Sequence, residues 1–265
     1  MLYHAREHML NISGGRMRYI AFGNGLKPLI MIQGLNTRSI EGAAVPLAHM
    51  YRIFAKEYRV YLFDRRTNVR EGITVKELAE DISAAMDALG ISNADILGVS
   101  QGGMIAQYLA IERPDLVHKL VLAVTLSRSN ETVIAAIDGW IEMVRQNRMK
   151  HLVADMLEKM YSDSYKNKYR RCLPLLAVLQ KPKDPQRFIS LARACLTCDT
   201  YDQLDRIKCP VFVIGGGKDR VVGAKGSIEI AEKLDCEIFI YDELGHAAYE
   251  EAPDFNKRAY DFFRG

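Results

Sequence analysis

Short, mostly apolar runs recur along this chain with helical patterns between them, at residues 28–32, 60–63, 94–99, 120–123, 211–214 and 237–241, the first two apolar throughout. A strand wetted on one face alternates polar and apolar residues, whereas one apolar throughout is buried on both faces. Such strands, spaced by helices, specify an α/β architecture: a mostly parallel sheet covered by helices. Residues 2–10 and 16–22 add a hairpin turning at Ser13-Gly14-Gly15, so eight strands are expected in all.

The intervening helices carry their own punctuation. Thr74-Val75-Lys76-Glu77 reads as a capping box, in which the threonine oxygen satisfies a free backbone N–H and the glutamate reaches back. Val75, Leu78, Ile82, Ala85 and Leu89 follow as one apolar stripe, and Gly90 supplies the stop. A second helix is expected over residues 101–112, ended by Pro114, and a last one over 254–263. Residues 126–203 break the alternation. They hold no convincing strand but three helical stripes: Ile134, Ile137, Ile141 and Val144; Val153, Met156, Leu157 and Met160; Phe188, Leu191, Ala192 and Cys195. An insertion of that length is too long for a connection. It is expected to be an all-helical cap (126–203) over a core made of residues 1–125 and 204–265. Trp140 either lines a pocket there or packs within the cap.

Composition narrows the partners. The chain has 265 residues with 36 basic and 33 acidic side chains, a net charge of +3 too small and too dispersed for a nucleic-acid partner. The one basic cluster, residues 166–171, reads as a solvated helix face. No apolar run is long enough to span a bilayer, and the polar first eight residues are unlike a secretory signal, so a cytoplasmic protein with no membrane partner is expected. Five cysteines fit reduced thiols. Cys195 and Cys198 have CxxC spacing, but no second ligand pair exists for zinc and the motif ends a helix instead of opening one, so two half-buried helix thiols are expected.

The chemistry concentrates after three strands. Gly98-Val99-Ser100-Gln101-Gly102 fits G-x-S-x-G between an apolar strand and an amphipathic helix. A serine in such a turn is strained, needs small neighbours, and presents Oγ beside a helix N-terminus where negative charge can be stabilised. A hydroxyl needs a base. His246, in the loop after the last strand, is the best placed of six histidines; His4, His8, His49, His118 and His151 sit in terminal or helical contexts. An imidazole in turn needs a carboxylate to fix its tautomer. Asp219 follows Gly215-Gly216-Gly217, glycines that let the chain reverse and aim the carboxylate inward; its alternative role is to cap the helix near Lys225. Glu250 and Glu251 are rivals expected to brace the histidine loop or lie on the surface. The order Ser100, Asp219, His246 places all three at the carboxyl edge of one sheet, and the backbone N–H groups of Gln101 and Leu35 are the expected oxyanion donors.

These segments, with Glu251-Ala252-Pro253 and the helix beginning at Thr74, resemble those of capped α/β-hydrolases, the group of small carboxylesterases, lactonases and C–C bond hydrolases. The resemblance implies the α/β-hydrolase fold, a small-molecule substrate, and an acyl-enzyme mechanism with no cofactor and no metal. Two departures stand out. Gln33 occupies the place of the histidine in the family's His-Gly oxyanion loop. Asp64-Arg65-Arg66-Thr67-Asn68-Val69 replaces Asp-x-Arg-Gly-x-Gly, and Arg65 or Arg66 is there either a surface arginine or a ligand for an acidic substrate group. The expected activity is hydrolysis of a small ester, lactone or thioester. C–C hydrolysis, haloperoxidase-like chemistry and non-catalytic ligand binding on the same fold are the alternatives.

Overall fold

A computed structural model describes residues 2–169 and 181–265. Eight strands form one sheet in the order β1-β2-β4-β3-β5-β6-β7-β8: β1 (Arg6–Ile12), β2 (Gly15–Phe22), β3 (Lys27–Ile32), β4 (Tyr58–Arg66), β5 (Ala94–Val99), β6 (Val117–Ala123), β7 (Val211–Gly216) and β8 (Glu237–Tyr241). The β1–β2 and β2–β4 pairs are antiparallel and every later pair is parallel. The first strand starts later than the sequence suggests because residues 2–4 form a 3-10 turn.

Except in the edge strand β8, whose residues are exposed or half-buried, the apolar runs are explained by the sheet's two covered faces. Ile30, Ile32, Ile96, Leu120, Leu122 and Val213 point to one side, packing with α2 (Val75–Ala88), α3 (Gln101–Glu112) and α8 (Ala224–Leu234). Leu29, Met31, Leu97, Val121, Phe212 and Ile214 point to the other, packing with α1 (Ala44–Met50) and α10 (Phe255–Arg264). The period-2 pleat assigns alternate residues to opposite layers, so both must be apolar. The capping box of α2 forms as read: Thr74 accepts from Glu77 N, and Glu77 bonds back to Thr74 N at 2.9 Å. Helix α1 has no counterpart in the sequence reading; Pro46 in its first turn obscures the helical pattern although a proline is tolerated there.

Between β6 and β7 lie α4 (Glu131–Arg145), α5 (Met149–Met160), α6 (Asp163–Tyr169) and α7 (Pro185–Cys195), and among the described residues the only β pairing there is one isolated bridge, Arg128 to Asp199. The stripe of α4 is shifted from the expected one. Ile134 is exposed, and the buried face is Val133, Ala136, Ile137, Trp140, Ile141 and Val144. Cys195 and Cys198 are both fully buried, not half-buried, and only Cys195 is helical. Arg170, Arg171 and Cys172 lie outside the described residues. No helix among the described residues is long and apolar enough to cross a membrane.

Candidate active site

Ser100 stands between β5 and α3 with φ 54° and ψ −120°, a conformation costly for a residue bearing a Cβ. The turn is held from several directions. Ser100 N donates to Ala123 O on the neighbouring strand at 2.8 Å, and Ser100 O accepts from Gly103 N and Thr125 Oγ1, each at 2.8 Å. On the other side runs the chain leaving β3, so close that a Cβ on Gly34 would lie 3.2 Å from Ser100 Cβ.

His246 sits in the loop after β8, just before the short helix α9 (Ala248–Glu251). Its Nε2 is 2.9 Å from Ser100 Oγ and its Nδ1 is 2.8 Å from Asp219 Oδ2. All three side chains are buried. Asp219 Oδ1 accepts from Val221 N at 2.8 Å and Val222 N at 3.0 Å. It therefore ties the turn ahead of α8 without capping that helix, whose N-cap is Gly223. Burial works to raise the Asp219 carboxyl, but His246 and the two backbone donors overcome it and hold the group below the usual aspartate range. The neighbouring glycines serve close approach more than reversal. None of Gly215, Gly216 and Gly217 has positive φ, whereas a Cβ on Gly216 would meet Gly245 O at 2.2 Å. The glycines thus bring the acid turn and the histidine loop together.

The rival carboxylates brace, as expected. Glu250 accepts from Tyr161 Oη at 2.5 Å, and Glu251 accepts from Ser162 N at 2.9 Å and from Ser162 Oγ. With Ala247 N donating to Met160 O at 2.8 Å, these bonds tie the end of α5 to the histidine loop. The other histidines are set apart, although His8 and His118 belong to strands and not to helical or terminal segments; His118 Nδ1 is 2.8 Å from the buried Asp95.

The arginines of β4 correct the sequence reading. Neither is a surface residue and neither meets the pocket. The strand runs three residues beyond the apolar core at 60–63, carrying Arg65 inside and leaving Arg66 partly buried. Arg66 is paired to the buried Asp81 of α2. Arg65, 3% exposed, donates to Gln33 O at 2.6 Å and to Gln101 Oε1 at 3.2 and 3.3 Å. Burial brings its guanidinium down to about 10, still protonated at neutral pH. Gln101 Nε2 then donates to Leu191 O at 2.6 Å and Cys195 Sγ at 3.1 Å on α7. Asp64 joins the same region, accepting from Ile40 N at 3.1 Å and pairing with Arg187 at 3.3 Å. A charged residue directly after a buried strand was the one hint of this network in the sequence.

One small space opens at the serine and a larger one adjoins it. A small chamber of about 30 Å³ lies against Ser100 and His246, walled by Val133, Ile137 and Trp140 of α4. Trp140 thus fills both roles considered for it, lining the chamber while its Nε1 donates to Asp155 at 2.8 Å. A larger pocket of about 390 Å³ lies beyond Leu35, Met156, Met160 and Tyr249, which border both spaces, and its walls are mainly apolar. Among the described residues no group of three or more His, Cys, Asp or Glu side chains is placed to hold a metal ion.

Comparison with known proteins agrees with this layout. Residues 27–253 match the model of a family described as having the alpha/beta hydrolase fold. A 3-oxoadipate enol-lactonase of Acinetobacter baylyi is 27% identical over 207 residues, covering 75% of each chain. A pimeloyl-[acyl-carrier protein] methyl ester esterase of Neisseria meningitidis is 28% identical over 198 residues, 70% of this chain and 76% of its own. Among solved structures, the enol-lactonase from Burkholderia xenovorans shares the fold with a TM-score of 0.84 at 20% identity, over 97% of this chain and all of the other. The α/β hydrolase MGS-M2, from a deep-sea metagenome library of the Medee basin, shares it at 0.88 and 20% identity over 97% and 98%. With its elbow after β5, acid turn after β7 and histidine loop after β8, and a family match running from the start of β3 past β8, this protein belongs to the α/β-hydrolase family.

Proposed function

We propose that the protein is a serine hydrolase that cleaves small carboxylic esters or lactones through an acyl-enzyme intermediate. The observation that carries this reading is the unbroken line from Asp219 to His246 to Ser100, with 2.8 and 2.9 Å contacts, on a strained strand-to-helix turn. Ser100 Oγ attacks the carbonyl carbon as His246 Nε2 takes its proton. Asp219 holds the proton of Nδ1, keeping Nε2 free to accept and stabilising the imidazolium that forms. The oxyanion is received by the backbone N–H groups of Gln101 and Leu35. His246 returns the proton to the departing alcohol or enol oxygen, and water, deprotonated by the same imidazole, releases the acid.

Residues 126–203 act in this scheme as a cap that walls the serine off from water. The small chamber receives the smaller arm of the substrate and the larger pocket the longer one. A lactone is included because enol-lactonases are among the relatives, and a cytoplasmic setting is adopted on the free thiols of Cys195, Cys198, Cys209 and Cys236.

The test is hydrolysis of p-nitrophenyl esters of rising acyl length, and of a panel of lactones, by the protein and its Ser100→Ala variant. Turnover confined to the wild type supports the proposal. Equal background rates for both proteins on every ester and lactone would exclude it and leave C–C bond cleavage or ligand binding as the function to be sought.

A further inference from the structure

Arg65 sits where no charge is needed for folding a sheet strand, and its contacts converge on one object: the chain that leaves β3 beside Ser100. The same Nη2 lies 2.6 Å from Gln33 O and 3.5 Å from Gly34 O. A trans peptide holds its C=O and N–H pointing opposite ways. A Gly34 carbonyl drawn toward the guanidinium therefore turns the Leu35 N–H away from Arg65. The serine stands beside this strip; a Cβ on Gly34 would lie 3.7 Å from Ser100 Oγ. The guanidinium also clasps Gln101 Oε1, on the residue that follows the serine. Thus one side chain holds the backbone of the segment that carries one oxyanion N–H and the side chain of the residue that carries the other.

We infer that Arg65 is the positioning residue of the oxyanion hole: it pins the 33–35 peptides to Gln101 so that the Leu35 N–H faces the reacting carbonyl. This rests on the serine-hydrolase reading above. Among the described residues no other side chain hydrogen-bonds the Gln33 or Gly34 carbonyl, and a Gly34–Leu35 peptide free to turn spends time with oxygen, not N–H, toward the developing negative charge. The grip extends to α7, because the amide of Gln101 that accepts from Arg65 donates to Leu191 O and Cys195 Sγ. Arg65 does not touch the substrate; it acts through the backbone it holds.

The test uses the full-length protein with Arg65→Met and Arg65→Lys, and active sites counted by a serine-directed fluorophosphonate. Arg65→Met is expected to lower kcat per titrated serine about 100-fold with KM little changed, as loss of one oxyanion donor does. Arg65→Lys, which keeps the charge but reaches fewer acceptors, is expected to fall between, about tenfold below wild type. Affinity for a boronic acid that mimics the tetrahedral oxyanion should drop in parallel with kcat/KM, while affinity for the product acid should not. A purely structural role would lower the number of titratable sites or the Tm and leave kcat per site and the boronate ratio within about threefold of wild type; that result overturns the inference. If Arg65→Met fails to fold, Arg65→Lys decides alone, an unchanged kcat per site overturning it. A wild type that neither labels at Ser100 nor turns over any ester removes the hydrolase reading and this inference with it. Labelling and turnover with indifferent Arg65 variants remove the Arg65 assignment only.

Discussion

Substituting Gly102 by alanine tests why the fifth position of the serine motif must lack a side chain. A Cβ built there would stand 1.9 Å from Ile32 O and 2.6 Å from Gln33 O, both backbone atoms at the end of β3. Ordinary contact begins near 3.4 Å, so either the loop at 33–35 or the first turn of α3 must retreat by about 1.5 Å. Both carry the N–H groups proposed above to receive the oxyanion. A displacement of about 1 Å at a catalytic group costs on the order of 100-fold in rate, and the overpacking itself about 1–3 kcal/mol of stability. Gly139, inside α4, is the control: a Cβ there meets nothing within 4 Å. Gly139→Ala should therefore stabilise by about 0.5–1 kcal/mol with full activity. The assay is steady-state ester hydrolysis normalised to fluorophosphonate-titrated serines, with Tm by calorimetry. Gly102→Ala retaining more than about half of the wild-type kcat and Tm would refute the steric argument, because backbone cannot yield that far without moving the donors.

Asp219→Asn should lower kcat about 10⁴-fold at neutral pH. Val221 N and Val222 N both donate to Oδ1, so the asparagine must place its oxygen there and its NH₂ toward His246, forcing the proton onto Nε2. Because the Asp219 carboxyl is held below its ordinary value, its contribution to stability is present above the aspartate range and lost as pH falls through it. The Tm gap between wild type and Asp219→Asn should therefore narrow below about pH 4, and a gap that widens there would contradict the charge assignment. Cys195, whose thiol is pushed up to about 12 by burial, and Cys198, buried and raised further, should resist iodoacetamide at pH 8 until the protein is unfolded, as peptide mapping can show. Thr74→Ala removes one half of the capping box and should cost about 1 kcal/mol in urea unfolding without changing kcat.

The architecture and the three central side chains were legible in the chain because each depends on local rules. A short, mostly apolar run such as residues 94–99, bounded by turn residues, reads as a strand covered on both sides, and the G-x-S-x-G serine that follows reads as a tight turn. The capping box of Thr74 and Glu77 and the sequence order of Ser100, Asp219 and His246 are likewise properties of short segments and their spacing. What escaped were the relations between segments. The face of α4 that is buried depends on the angle at which it meets the sheet, which is why Ile134 is outside and Trp140 inside. Whether Arg65 is a surface charge or a buried clasp between Gln33 and Gln101 depends on β4 continuing to Arg66 and on Gln33, Gln101 and α7 converging there from positions far apart in the chain. Local chemistry thus determined which residues could react. Burial of an otherwise costly guanidinium, possible only where two distant segments offer it acceptors, was decided by the tertiary structure alone.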